Sequence, residues 1–357
     1  MLQARAIGRV LILAFGLLLW SSGSPGEGGW LCPAASPPIL ATSTPSPLAA
    51  PSIPPKRRGP SVLSPQMTPE GIERPPEGRP VPQLAIVRFA VIGDYGQAGP
   101  AAEAVAQLVR SWGPDFIVTT GDNNYPRGEA RTIDENIGRY YHMFIAPYRG
   151  RYGPGADRHR FFPVLGNHDW IADQARPYLD YFTLPGNERY YEVRWGPVHL
   201  FFLNSNPGEP DGITADSRQA RWLRDRLRAT DAPWRLVVMH HPPYSSGLHG
   251  SNPTLQWPFA EWGATAVLAG HDHVYERIER DGILYFVNGL GGHPARYPFR
   301  APISGSQVRY RERHGAMRVE ADPCRITFEF IAVNGRRIDR VVRADPACES
   351  RPLGRSR

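Results

Sequence analysis

Apolar and polar positions along residues 84–343 alternate with two periods, one typical of strands and one typical of helices. Short apolar runs bounded by glycine, proline or charged residues predict buried strands at 84–92, 116–119, 161–165, 198–203, 236–239 and 267–268. Apolar residues at helical spacing between these runs predict helices at 101–112, 132–141 and 216–228. Thr132 and Glu135 form a capping-box pattern, which predicts that the second helix begins at Thr132.

Two later apolar runs, 283–287 and 326–333, have no helical pattern between them. We expect them to join the sheets as antiparallel strands, because antiparallel neighbours need no helical crossover. Strands that alternate with helices are typical of the α/β class, so the sequence predicts an α/β sandwich with sheets inside and helices outside.

The N-terminal segment has the pattern of an export signal peptide over residues 1–24. Arg5 and Arg9 precede an apolar run at 10–20, and small residues follow at 21–24. The apolar run is too short to span a bilayer. An uncleaved N-terminal anchor at the membrane is the alternative, and it is the one contact with a membrane that we expect.

The composition changes after the signal segment and again before the first predicted strand. Residues 25–83 are rich in proline, serine and alanine, which predicts a disordered tether. A catalytic domain at 84–343 and a tail at 344–357 complete the predicted organisation. Export implies an oxidising compartment, so Cys324 and Cys348 could form a disulfide or remain two free thiols.

The charge of the chain does not indicate a nucleic-acid partner. The formal net charge is +7, from 41 Lys+Arg against 34 Asp+Glu, but Lys56 is the single lysine and the arginines are dispersed. No basic stripe alternates with aromatic residues as in a nucleic-acid groove. The lack of lysine in the predicted catalytic domain also excludes Schiff-base chemistry and a P-loop there.

Polar residues able to bind metal follow five of the predicted strands. These blocks are Gly93-Asp94-Tyr95-Gly96, Gly121-Asp122-Asn123-Asn124-Tyr125, Gly166-Asn167-His168-Asp169, His240-His241 and Gly270-His271-Asp272-His273. The carboxyl ends of strands border the ligand crevice in open α/β sheets, so we expect the five blocks to converge on one site.

The donor types in these blocks indicate a metal centre without cysteine. Carboxylates, an amide oxygen, a phenol and imidazoles suit iron, manganese or zinc. Two such ions can hold the attacking and leaving oxygens of a phosphoryl displacement. The sequence therefore predicts metal-assisted chemistry on a phosphate ester.

In their order and residues, the five blocks resemble the motifs of the calcineurin-like metallophosphoesterases and, among these, of the small single-domain purple acid phosphatases. The resemblance runs from Asp94-Tyr95-Gly96 through Gly270-His271-Asp272-His273 and spans roughly residues 84–342. It implies a four-layer α/β/β/α sandwich, in which two mixed sheets are flanked by helices.

The resemblance also implies a dinuclear metal centre. Asp94, Asp122, Tyr125 and His273 would hold the first ion, and Asp122 would bridge to a second ion held by Asn167, His240 and His271. A tyrosine ligand favours Fe(III), so the implied cofactors are Fe(III) and a divalent ion, which would be Fe, Zn or Mn. The Val-x-x-His spacing of the family favours His240, with His241 as the alternative ligand.

The implied reaction is hydrolysis of small phosphate monoesters through attack by a metal-bound hydroxide. By resemblance, His168 would contact the phosphate and the leaving group, and Asp169 would orient the His168 ring. His249 would protonate the leaving oxygen. The enzyme would be secreted, periplasmic or tethered to the cell surface.

Two other functions are compatible with the same motifs. One is a phosphodiesterase or nucleotidase of the same superfamily that uses Mn or Zn. The other is a catalytically silent surface module that binds a partner through this scaffold, although retention of every ligand type argues against it.

Overall fold

The structure is a computed structural model that describes residues 86–345 and 348. Thirteen strands and seven α-helical segments form this part of the chain. The predicted signal peptide and tether lie outside the described residues. The strands are β1 (Val87–Ile92), β2 (Phe116–Thr119), β3 (Phe161–Phe162), β4 (Tyr191–Trp195), β5 (Val198–Phe202), β6 (Trp234–Val238), β7 (Ala266–Ala269), β8 (Tyr275–Arg280), β9 (Ile283–Asn288), β10 (Ser306–Tyr310), β11 (Gly315–Ala321), β12 (Arg325–Ala332) and β13 (Arg337–Ala344). The helices are α1 (Pro100–Ser111), α2 (Ala130–Ile133), α3 (Arg139–Tyr141), α4 (Asn167–Ile171), α5 (Arg176–Tyr181), α6 (Arg218–Ala229) and α7 (Phe259–Trp262).

The strands form two mixed sheets. The first has the order β13-β12-β11-β1-β2-β3, and the second has the order β10-β8-β9-β7-β6-β5-β4. Neighbours are parallel from β1 to β3 and across β5, β6, β7 and β9. The late strands pair antiparallel with one another, β8 with β9, β11 with β12 and β12 with β13, as predicted, although β9 also runs parallel to β7. The predicted α/β fold with two mixed sheets and flanking helices is confirmed.

The main hydrophobic core lies between the two sheets. Phe162 of the first sheet and Phe202 of the second have ring centroids 6.2 Å apart, and Phe286 and Phe328 are 5.0 Å apart across the same interface. Because successive side chains of a strand point to opposite faces, Phe201 of β5 packs in a second core instead. Both faces of β5 are therefore apolar, which is why its sequence reads as an uninterrupted hydrophobic run.

The second core lies between the second sheet and helices α6 and α7. Leu223 and Leu227 of α6 are buried there, together with Trp257, Phe259 and Trp262. Helix α6 begins at Arg218, two residues later than the sequence predicts, because Ser217 is its N-cap and the Ser217 hydroxyl accepts a hydrogen bond from the Ala220 N–H at 3.1 Å. This is the usual role of serine at a helix N-cap.

The predicted helix at 132–141 is present but begins earlier. It starts at Ala130 and includes a π-helical turn over Asp134–Gly138. The Thr132 hydroxyl donates to the Asn124 side chain at 2.8 Å and to the Glu129 carbonyl at 3.0 Å, so it does not cap the helix. The prediction of a capping box at Thr132 was wrong, because the Thr132 hydroxyl is hydrogen-bonded to Asn124, which lies in a loop of the predicted site.

Cys324 and Cys348 form a disulfide, with Cα atoms 5.5 Å apart. It joins the turn between β11 and β12 to the segment after β13. In the chain-entropy model, closing a loop of this size stabilises the fold by about 3 kcal/mol. Within the described residues, no helix is both long enough and apolar enough to span a membrane.

Replacing Leu223 with alanine tests the second core. The side chain is fully buried, so we expect the Leu223→Ala variant to lose about 2–5 kcal/mol of unfolding free energy, through lost burial and a cavity. Urea denaturation measures the loss. Arg228→Ala, an exposed change on the same helix, is the control and should alter stability by less than about 0.5 kcal/mol. Equal stability of both variants would contradict this packing.

Candidate metal centre

The seven predicted ligand residues meet where the carboxyl ends of strands from both sheets face each other. The first sheet contributes Asp94 after β1, Asp122 and Tyr125 after β2, and Asn167 after β3, while the second contributes His240 after β6, and His271 and His273 after β7. Side chains far apart in the sequence are thus brought into one cluster, as the strand-end rule predicts.

Two glycines allow the loops of this cluster to touch. A Cβ on Gly166 would lie 2.1 Å from Asp122 Oδ1 and 2.2 Å from the Asp122 nitrogen. A Cβ on Gly270 would lie 2.6 Å from Asp94 Oδ2. Any larger residue at either position would force the carboxylates out of place.

Three of the predicted ligand residues have left-handed backbone conformations. The φ angles are 54° at Asp94, 52° at Asp122 and 69° at His271. Such conformations cost about 1–3 kcal/mol each for non-glycine residues and persist only where the surrounding structure enforces them. Three of the eight non-glycine residues with positive φ in the described part of the chain are predicted ligands, so part of the backbone strain lies at the predicted site.

One group of donor atoms surrounds the Tyr125 hydroxyl. This oxygen lies 2.9 Å from Asp122 Oδ2, 3.4 Å from Asp94 Oδ1 and 3.1 Å from His273 Nε2. His273 Nε2 is also 3.4 Å from Asp94 Oδ1. The four side chains predicted for the first ion therefore converge on a small volume.

A second group of donor atoms lies next to the first, and Asp122 borders both. Asn167 Oδ1 lies 2.9 Å from His240 Nε2 and 3.0 Å from His271 Nδ1, and the two nitrogens are 3.2 Å apart. Asp122 Oδ2 is 3.5 Å from His240 Nε2. The same carboxylate oxygen thus borders both groups.

The hydrogen bonds of two histidines leave a ring nitrogen free for a metal. His240 Nδ1 lies 2.8 Å from the Thr120 carbonyl oxygen, and His273 Nδ1 lies 2.9 Å from the Ala295 carbonyl oxygen. A carbonyl only accepts, so each Nδ1 must donate. The neutral rings then present the Nε2 lone pair to the cluster, the arrangement typical of histidine ligands.

The cluster is short of positive charge. Asp94 and Asp122 are 0% and 2% exposed, and within residues 86–345 their ion pairs are with histidines alone. Burial by itself raises the pKa of Asp94, but the interactions with His273, together with smaller ones from His240 and the His271 N–H, lower that pKa overall. Buried carboxylates need compensating charge, so this donor set fits metal cations.

The phenol of Tyr125 responds to the same excess of negative charge. Burial and the neighbouring carboxylates of Asp122 and Asp94 raise its pKa well above the usual range. A cation between these oxygens would reverse the effect, because it favours the phenolate. Tyr125 is therefore positioned to act as a ligand when a cation is present.

The structure corrects the expected contact of Asp169. Its carboxylate accepts hydrogen bonds from the Gly166 and Asn123 backbone N–H groups at 2.8 Å and 3.0 Å and is not hydrogen-bonded to the His168 ring. The third residue of α4 points back toward the helix N-terminus, which explains this direction. His168 Nδ1 lies 2.6 Å from the Pro126 carbonyl oxygen instead. Burial and the Asp122 charge raise the pKa of Asp169 to about 7.

His249 lies at the open side of the cluster, where Asp272 holds its loop. The His249 ring is exposed, with its centroid 4.3 Å from that of His271. The buried Asp272 carboxylate accepts hydrogen bonds from the His249 N–H at 2.8 Å and the Ser245 hydroxyl at 2.6 Å. Asp272 stands between two predicted ligands in the sequence, but only the structure gives it this role.

Two further aromatic residues, His293 and Tyr297, were not identified from the sequence. The His293 ring centroid lies 4.4 Å from that of Tyr125 and 4.5 Å from that of His273. Tyr297 stacks on His273 with centroids 4.1 Å apart. The signal that could have found them is a sixth polar block after a strand, Gly291-Gly292-His293, which follows β9.

His241, the alternative ligand, also lies beside the cluster. One of its nitrogens is within 4.8 Å of nitrogens of His240 and His271, and its Nδ1 is 2.9 Å from the Ser205 hydroxyl. Burial, with a further contribution from His240, lowers the pKa of His241 to about 3, so the ring is neutral.

Comparisons with known proteins agree with the fold and the cluster. The model of the calcineurin-like phosphoesterase family matches residues 87–275, just over half of the chain. Tartrate-resistant acid phosphatase type 5 of Mus musculus is 24% identical over 301 residues, which are 72% of this chain and 89% of that protein. Purple acid phosphatase 17 of Arabidopsis thaliana is 28% identical over 239 residues, which are 57% of this chain and 68% of that protein.

Two solved structures share the fold at low sequence identity. A purple acid phosphatase from yellow lupin seeds superposes with a TM-score of 0.59 at 17% identity, over 73% of this chain and 54% of the longer lupin chain. GAP50 of Plasmodium, described as the anchor in the inner membrane complex, superposes with a TM-score of 0.56 at 18% identity, over 72% of this chain and 88% of that chain.

The fold and the site define a hydrolase of the metallophosphoesterase class. The chain belongs to the calcineurin-like phosphoesterase family. The predictions of this family, of its resemblance to purple acid phosphatases and of a metal-dependent phosphoric ester hydrolase are confirmed.

The Asp272→Ala variant tests how the loop that carries His249 is held. It leaves the His249 N–H and the Ser245 hydroxyl without an acceptor, so we expect a loss of about 1–3 kcal/mol in unfolding free energy. We also expect faster hydrogen exchange at residues 245–250. Leu248→Ala, an exposed change in the same loop, is the control. Wild-type protection of these amides in Asp272→Ala would show that the carboxylate does not hold the loop.

Proposed function

We propose that this protein hydrolyses phosphate monoesters at a centre of two metal ions that share Asp122. The observation that carries the proposal is the position of Asp122 Oδ2, which is 2.9 Å from the Tyr125 hydroxyl and 3.5 Å from His240 Nε2. One carboxylate thus borders two separate groups of donors. A bridging carboxylate between adjacent ions is typical of phosphoester-cleaving sites with two metals.

In this proposal each group of donors would hold one ion. The first group is Asp94, Asp122, Tyr125 and His273, and the second is Asp122, Asn167, His240 and His271. The two ions would supply Lewis acidity and offset the negative charge of the phosphoryl oxygens. The protein contributes fixed geometry, because backbone N–H groups of His271 and His168 also bond the Asp94 and Asp122 carboxylates at 2.9 Å each.

We assign two histidines to phosphate binding and proton transfer. The Pro126 carbonyl accepts from His168 Nδ1, so His168 Nε2 faces the cluster, 4.0 Å from Asp122 Oδ2. We assign His168 to a phosphate oxygen and the leaving group. His249, exposed beside His271, is assigned to donate a proton to the leaving oxygen. We assign Asp169 an indirect role. Its carboxylate holds the Asn123 backbone next to the start of α4 through hydrogen bonds from the Asn123 and Gly166 N–H groups.

The proposed metals are Fe(III) in the first group and a divalent iron, zinc or manganese ion in the second. Tyr125 supports this assignment, because a phenolate is a hard anionic ligand that stabilises a trivalent ion. The second group has nitrogen and amide donors around a shared carboxylate, which suits a divalent ion.

We also propose that the enzyme is exported and acts on small phosphate esters outside the cytoplasm. The Cys324–Cys348 disulfide supports this location, because such bonds persist in oxidising compartments. The signal-peptide pattern at residues 1–24 also supports export. The dispersed positive charge would attract anionic substrates without selecting among them.

The Asp122→Asn variant tests the shared carboxylate. We expect kcat on para-nitrophenyl phosphate to fall on the order of a thousandfold or more, because a charge that holds both ions is lost. Metal content measured by mass spectrometry should fall below two ions per chain, while circular dichroism stays close to that of the wild type. Bis(para-nitrophenyl) phosphate, assayed in parallel, distinguishes a monoesterase from a diesterase.

Asp157→Asn is the matched control, since Asp157 is exposed and outside the cluster. It should keep wild-type activity and metal content. Full activity of Asp122→Asn with two ions bound would contradict the proposal. A wild-type preference for the diester would instead favour a phosphodiesterase or nucleotidase.

The Tyr125→Phe variant tests the iron assignment. Protein loaded with iron should show a visible charge-transfer band, because the Tyr125 phenolate is bound to Fe(III), and the variant should lose that band. Tyr297→Phe removes a nearby phenol that stacks on His273 and should keep the band. A colourless wild-type protein that is active with manganese would overturn the iron assignment and leave the two-metal proposal standing.

A further inference from the structure

His241 lies against the proposed second metal group but differs from its ligands in the partner of its Nδ1. Its ring centroid is 4.5 Å from that of His271 and 4.9 Å from that of His240. The ring is partly accessible to solvent, whereas His240 is fully buried. Distance alone would therefore allow His241 to be a third nitrogen ligand of the second ion.

The hydrogen bonds of Ser205 determine which nitrogen of His241 carries the proton. The Ser205 oxygen accepts from the backbone N–H of His240 at 3.3 Å and from that of His241 at 3.0 Å. A hydroxyl has two acceptor lone pairs and one proton. Both lone pairs are used, so the proton must be donated, and His241 Nδ1 lies 2.9 Å away to receive it.

His240 and His241 consequently have opposite tautomers. The Thr120 carbonyl only accepts, so His240 Nδ1 donates and the Nε2 lone pair faces the metal group. The Ser205 hydroxyl donates, so His241 Nδ1 accepts and the proton of the neutral ring is on Nε2. A protonated Nε2 cannot bind a metal ion but can donate a hydrogen bond to an anion.

We infer that His241 is an anion-binding residue of the active site, whose Nε2–H donates to an oxygen of the phosphate group, and that Ser205 positions it by fixing this tautomer. The inference rests on the proposed function, because it names a further contact of the same substrate. It also excludes His241 as an alternative ligand in favour of His240.

The row of imidazoles supports this assignment. The centroid of the His271 ring lies 4.5 Å from that of His241 and 4.3 Å from that of His249. A phosphate at the second ion would then have a ring donor from His241 besides His249. A fixed N–H donor is already oriented before substrate arrives, so binding requires no reorganisation of this group.

Nitrogen NMR of the full-length chain, labelled with 15N-histidine and loaded with zinc, tests the tautomer directly. The signals of His241 are assigned by comparison with the His241→Gln variant. We expect an unprotonated Nδ1 and a protonated Nε2 in the wild type, both without zinc and after zinc loading. A protonated Nδ1, or an Nε2 proton that is lost when zinc binds, would overturn the inference.

Calorimetric titration of inorganic phosphate into the same zinc-loaded protein tests the donor. We expect His241→Leu to keep the wild-type zinc content and to bind phosphate about tenfold more weakly, the scale of a hydrogen bond to a charged group. His241→Gln, which retains an N–H donor, should recover part of the affinity. His199→Gln, at another histidine bonded to a hydroxyl, is the control and should bind like the wild type.

The outcomes separate this inference from the proposed function. Loss of one zinc ion in His241→Leu, or unchanged phosphate affinity in that variant, would overturn the role of His241 even if the wild type is an active phosphatase. A wild type that hydrolyses no phosphate ester would refute the proposed function, while the NMR and the phosphate titration would still report on His241.

Discussion

The burial of two carboxylates without a basic partner is the constraint on which this site depends. Asp94 and Asp122 are almost inaccessible to solvent, and their neighbours are histidines, a phenol and backbone N–H groups. These groups satisfy the hydrogen bonds of the carboxylates, but none of them carries a permanent positive charge. A buried charge is tolerated only when it is compensated, so the arrangement requires cations and explains why the histidines present lone pairs to the same volume.

The fold supplies the close approach that this constraint demands. Strand ends from the two sheets meet at one edge. Because Gly166 and Gly270 have no side chain, their loops can pack directly against the carboxylates of Asp122 and Asp94. Left-handed backbone at Asp94, Asp122 and His271 directs these residues inward at a cost in local strain. The large core between the sheets stabilises the molecule enough to maintain this strain.

Most of the fold and of the ligand cluster could be predicted from the sequence because both follow local patterns. Apolar runs gave the central strands, and polar blocks directly after them gave Asp94, Asp122, Asn167, His240 and the His271–His273 pair. The predictions for Thr132 and Asp169 were wrong in their contacts, because their side chains bond loops that are distant in the sequence. Ser205 and Asp272 were missed for the same reason, since neither role is visible until its loop packs against its partner.

In the proposed centre, two adjacent ions would share Asp122. Anomalous X-ray scattering from crystals of the metal-loaded protein, measured at the absorption edge of the bound metal, tests it most directly. We expect two peaks roughly 3.5–4 Å apart, on either side of the Asp122 carboxylate. A single peak, or a pair of peaks that Asp122 does not bridge, would contradict it.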